Sequence, residues 1–93
     1  MTHIFIGLFP LGQVVATPGV MEVVEEVDLI SALTRHHGGD WGDVCEEDWE
    51  NNNEALANGF RLVSAYTSAD GINFWIITEH DRSVTTFLLP EEY

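Results

Sequence analysis

His36, His37, Asp40, Asp43 and Cys45 fall within ten residues, and each can in principle hold a metal or move a proton. A zinc site wants three or four such groups converging at about 2.0–2.3 Å. Here a single cysteine stands where paired cysteines would, and Gly38 and Gly39 separate the histidines from the acids. The spacing fits no zinc pattern, so no metal is expected. Calcium asks for six to eight oxygens on a tight loop. Residues 40–50, DWGDVCEEDWE, supply carboxylates but not the alternating acids and central glycine of an EF-hand.

Nucleophilic chemistry fits no better. A Cys45 thiolate paired with His36 or His37 needs positive surroundings, and Cys45 has carboxylates instead. Ser31, Ser64, Ser68 and Ser83 lie outside any nucleophile-elbow pattern. No glycine-rich loop is present to cradle a phosphate. Glu46 and Glu50 form a carboxylate pair of the kind used in acid–base work. On an open helix face such a pair is simply solvated. The expectation is a protein that is not an enzyme and carries no cofactor.

What remains is charge. Residues 39–54, GDWGDVCEEDWENNNE, hold seven carboxylates and no basic side chain. Asp43, Glu47, Glu50 and Glu54 recur at intervals of 4, 3 and 4, which on a helix makes one edge. Glu46 and Asp48 thicken it. Carboxylates one turn apart repel by a few tenths of a kcal/mol per pair, so such a row carries a cost. Negative groups every 5–6 Å along a rod approximate one strand of a nucleic-acid backbone. A basic groove that binds DNA or RNA would be drawn to it. These six residues are the candidate partner-binding site.

The whole chain has the same bias. Sixteen Asp and Glu face three basic residues, Arg35, Arg61 and Arg82, with no lysine, for a net charge of −13. Binding to nucleic acid or to an anionic membrane needs cations to displace counterions, so both are excluded as direct partners. A basic protein surface is the partner this balance favours. Hydrophobic residues make up 45% of the chain, enough for a core and against disorder. Ninety-three residues predict one domain. The apolar start, MTHIFIGLFPLG, is too short and too uncharged for a signal peptide or membrane span. With one cysteine, this predicts a cytoplasmic protein.

Periodicity places these residues. Thr17 caps and Pro18 opens a helix over 18–27, with Val20, Val23, Val24 and Val27 on one stripe. Asp28 caps a second helix that ends at Gly38 and Gly39. Asp43 caps a third, running to about residue 58, with Cys45, Trp49, Asn52 and Leu56 facing inward. Residues 2–9, 13–16, 61–68, 72–78 and 83–89 read as strands, and 90–93 as an exposed tail. The predicted fold is α+β: an antiparallel sheet of four to five strands with two to three helices on one face. Its order is β(β)-α-α-α-β-β-β. Tyr66, Trp75 and Phe87 are candidates for an apolar interface, through which the chain would bind another protein or form a homodimer.

The stretches FPLGQVVATPG (9–19), GDWGD (39–43) and TEHDRSVTTFLLPEEY (78–93) carry a resemblance. The chain resembles short acidic proteins of proteobacterial plasmids and integrated elements, labelled plasmid-related or type I restriction subunit, which have no established activity. The leading MTHIFIG and Cys45 depart from that pattern. The resemblance implies cargo of a mobile element, a class that commonly acts against host defence by imitating nucleic acid or blocking a defence complex. An antitoxin against a basic toxin is a third reading.

Overall fold

The last third of the chain alternates apolar and polar residues between short turns, and it folds accordingly into a meander. In the computed structural model, which describes residues 7–93, β2 (Leu62–Thr67), β3 (Asn73–Thr78) and β4 (Val84–Leu88) pair antiparallel. Ahead of them come β1 (Gln13–Ala16), α1 (Pro18–Val23), α2 (Glu26–His37) and α3 (Glu46–Asn58). The protein is α+β with one four-stranded sheet in the order β1-β4-β3-β2. β1 lies parallel to β4, so the sheet is mixed rather than wholly antiparallel. A parallel neighbour needs a long crossover, and α1 to β3 supply it. The strand expected over residues 2–9 falls mainly outside the described residues, and Gly7, Leu8 and Phe9 are not in a strand.

Alternation assigns each face of the sheet. Tyr66, Phe74, Ile76 and Phe87 point to one side, where Val20, Val24, Leu29 and Ala32 of the first two helical segments bury them. The expected helix over 18–27 is broken. Thr17 does cap it, accepting from the Val20 amide at 3.2 Å, but the chain turns extended at Val24 and α2 restarts after Glu25. β-branched residues tolerate this break because they lose side-chain freedom in a helix. The result splits the valine stripe: Val20 and Val24 turn inward while Val23 and Val27 face solvent. Asp28 is not the cap but sits in the first turn of α2, accepting from the Ala69 amide at 3.2 Å.

α3 flanks the β2 edge, where Phe9, Trp41, Ala55 and Leu62 form a second buried cluster. Asn52 stands in for a neighbouring strand. Its Nδ2 donates to the Val63 carbonyl at 2.7 Å, and its Oδ1 accepts from the Val63 amide at 3.1 Å. One step along, the Ala65 amide donates to the Trp41 carbonyl and the Asp43 amide to the Ala65 carbonyl. Gly42, at φ 77°, permits this approach, since a Cβ there would collide with the Ala65 carbonyl oxygen. The edge of β2 is thereby covered at Val63 and Ala65.

The C-terminal residues are not a free tail. Pro90–Glu92 form a 3-10 turn, and Glu92 accepts from the Thr17 hydroxyl at 2.6 Å and from the Leu89 amide at 2.8 Å. Tyr93 meets the ring of Trp75 edge-on at 5.5 Å.

Candidate functional site

α3 begins with three acids because a helix N-terminus favours them: Glu46, Glu47 and Asp48 occupy its first turn. Cys45, not Asp43, holds the N-cap position. Asp43 is displaced because residues 41–43 are committed to the β2 edge, and its carboxylate accepts from the Thr67 hydroxyl at 2.9 Å. Asp43 therefore leaves the predicted row. Rotation of 100° per residue puts Glu46, Glu47, Glu50 and Glu54 within about a 100° sector, opposite the buried Asn52 and Ala55. Asp48 falls on the sheetward side. The row that forms is thus Glu46, Glu47, Glu50 and Glu54, all exposed.

Among the described residues no cation pairs with it. Arg35 Nε donates to Asp40 Oδ2 at 2.8 Å, the one ion pair among the described residues, and the guanidinium lies over the Tyr66 ring at 5.0 Å. That bond holds the Asp40 carboxyl below the usual range, with help from the Gly42 amide. Arg61 donates to the Tyr93 hydroxyl and lies over its ring. Arg82, at φ 60° in the β3–β4 turn, reaches the far end of α3. Its Nη1 donates to the Phe60 carbonyl at 2.6 Å and its Nη2 to the Ala55 carbonyl at 3.1 Å. This supplies positive charge to a helix whose last turn has no basic residue. None of the three arginines forms an ion pair with the row, although Arg82 holds carbonyls at the end of the same helix. The helix dipole accounts for Glu46 and Glu47, but Glu50 lies beyond the first turn and Glu54 nears the negative end, where an anion is disfavoured.

Between the start of α3 and the outer face of β2 and β3 lies a cleft of about 480 Å³. It is lined in part by Asp43, Cys45, Asp48, Asn51 and Trp75. Two carboxylates and an indole around one cleft suit a cationic side chain. Trp75 is half-buried there, whereas Tyr66 and Phe87 are only 2% and 5% exposed. Those two belong to the helix-covered core and cannot anchor an interface, which corrects that part of the apolar-surface expectation. Tyr66 also donates its hydroxyl to the Asp40 carbonyl at 2.7 Å.

The residues first considered for metal or nucleophilic chemistry disperse. His37 Nε2 donates to the Phe9 carbonyl at 2.8 Å, Asp40 is paired, Asp43 holds Thr67, and Cys45 is exposed. His36 is sealed in the core between Ser64 and Thr78. The direction of this chain follows from its end. Thr85 donates to the Leu11 carbonyl at 2.7 Å, so it accepts from Thr78 at 2.8 Å. Thr78 must then accept from His36 Nε2–H at 2.8 Å, which leaves Nδ1 to accept from the Ser64 hydroxyl. Burial, with smaller contributions from the neighbouring His37 and Arg82, pushes the imidazole down to about 3. It is neutral, fully hydrogen-bonded and out of solvent contact. The sequence offered only a histidine on an apolar helix face, so this network was not visible from it.

Among the described residues no helix is long and apolar enough to cross a membrane. Comparison of the chain with protein-family models, curated proteins and solved structures returned no match.

Proposed function

We propose that this chain is a non-enzymatic binding protein whose acidic helix face occupies a basic, nucleic-acid-binding surface of a host defence nuclease or CRISPR complex. It would act in the cytoplasm as a DNA mimic, as carriage on a mobile element would suggest. The observation that supports this reading is the row Glu46, Glu47, Glu50 and Glu54, exposed and, among the described residues, without an ion-pair partner, since each arginine has other partners. Repulsion between Glu46 and Glu50, and between Glu50 and Glu54, destabilises the free protein by a few tenths of a kcal/mol each. A cationic partner relieves that repulsion. An arginine or lysine of the partner entering the cleft beside Asp48 and Trp75 would fix the register.

The test is DNA cleavage by a panel of purified restriction and CRISPR effectors. Stoichiometric addition of the chain blocks at least one effector. The triple reversal Glu47→Lys, Glu50→Lys, Glu54→Lys abolishes the block while leaving the fold intact by circular dichroism. Inhibition that survives the triple reversal would refute the assignment.

A further inference from the structure

The two edges of the sheet are finished differently. At β2 the outward backbone groups of Val63 and Ala65 are taken by Asn52 and by residues 41–43. At β1 the inward ladder uses the amides of Gln13 and Thr17, which donate to Ser83 at 2.9 Å and Phe87 at 3.0 Å. By the alternation of a strand ladder, Val14 and Ala16 then direct their amides and carbonyls outward. Among the described residues no strand pairs with them.

Beside this open edge runs a groove of about 630 Å³ between β1 and α2. Its walls include Val14, Met21, Leu29, Ile30 and Leu33. Val14, Met21 and Ile30 are 43%, 65% and 56% exposed, a contiguous apolar patch of the kind that marks an interaction site. Its polar margin is of one sign. Glu26 lines the groove, Glu22 and Glu25 are exposed on the same stretch of chain, and no arginine lines it.

We propose that the β1 edge binds an extended segment of a partner protein that adds to the sheet as a further strand. Alternate apolar side chains of that segment enter the groove, and a lysine or arginine at its end lies against Glu22, Glu25 and Glu26. Main-chain hydrogen bonds from Val14 and Ala16 provide affinity, and the groove and its acidic margin provide selectivity. A second copy of this chain is the poorer occupant. It would bring thirteen more net negative charges and no lysine, and its arginines are already engaged. This surface lies at the opposite edge of the sheet from α3 and stands independently of the function proposed for that helix.

The probe is an acetylated peptide alternating valine and threonine with lysine at both ends, titrated into the isotope-labelled full chain by NMR. Shifts centred on Val14 and Ala16, with slowed exchange of their amides, are expected. Replacing the end lysines by glutamate weakens binding at least about tenfold, as like-charge juxtaposition at an interface does. N-methylation of the peptide at alternate amides abolishes binding, and so does Val14→Pro, a change that edge strands tolerate. Absence of binding, equal binding of the glutamate peptide, or survival after N-methylation overturns the proposal. A dimer by sedimentation that Val14→Pro dissociates also overturns it, assigning the edge to a second copy.

Discussion

Replacing His36 by glutamine tests whether the buried imidazole is held neutral. In the unfolded chain a histidine takes a proton near pH 6.5, whereas in the fold it does so only at about 3. Below pH 6.5 the unfolded state therefore binds the proton first, so this group's contribution is fully present above pH 6.5 and is lost as pH falls toward 3. Each unit is worth about 1.4 kcal/mol, or roughly 3 kcal/mol between pH 6.5 and 4.5. Glutamine does not titrate. At pH 7 it costs about 2–3 kcal/mol by leaving members of the Ser64–Thr78–Thr85 chain unsatisfied. The gap between wild type and His36→Gln should shrink by roughly 3 kcal/mol on acidification to pH 4.5. Urea unfolding followed by tryptophan fluorescence, with Trp41 fully buried, reads it directly. Titration of the many carboxylates affects both proteins and cancels in the difference. A gap that stays constant from pH 7 to 4.5 would refute the neutral, hydrogen-bonded histidine.

Glu54→Lys should raise stability by about 0.5–1 kcal/mol at low salt, since it removes repulsion from Glu50 and places a cation near the helix C-terminus. Thermal melts at two ionic strengths check this, and the gain should fade with salt. Asn52→Ala should cost about 2–3 kcal/mol, because it leaves both the amide and the carbonyl of Val63 without a partner at a closed edge. Denaturant midpoints with an unchanged slope would confirm a stability effect of that size. Arg82→Gly relaxes the φ of 60° but removes the donors to Ala55 and Phe60, so a net loss of about 1–2 kcal/mol is expected by the same assay.

The three C-terminal strands were legible because alternation and turn residues are local signals: residues 61–68, 72–78 and 83–89 each contain the observed strand. Thr17 and Pro18 marked a helix start for the same reason. What local pattern could not state was pairing. Nothing in Gln13–Ala16 indicates a parallel partner seventy residues away, because that choice is made by the helices packed between. Nor could a valine stripe announce its own break, since Val20 and Val24 are drawn inward by the sheet they cover. Tyr66 and Phe87 alternate correctly with their neighbours, but which side of the sheet the helices take is a tertiary fact. At the candidate site the charge was plain in the sequence and the position of Asp43 was not. Its capping preference lost to the two backbone hydrogen bonds that tie residues 41–43 to Ala65. Asn52 in an otherwise apolar stripe was the one readable hint of the edge it closes.

The central claim is that Glu46, Glu47, Glu50 and Glu54 dock on a cationic, nucleic-acid-binding surface. Competition between this chain and a labelled DNA duplex for the inhibited effector, followed between about 50 and 200 mM salt, measures it most directly. Affinity should fall steeply as salt rises, and the triple reversal at 47, 50 and 54 should weaken it at least about tenfold and flatten the slope. Displacement of DNA that is indifferent both to salt and to those reversals would contradict the account.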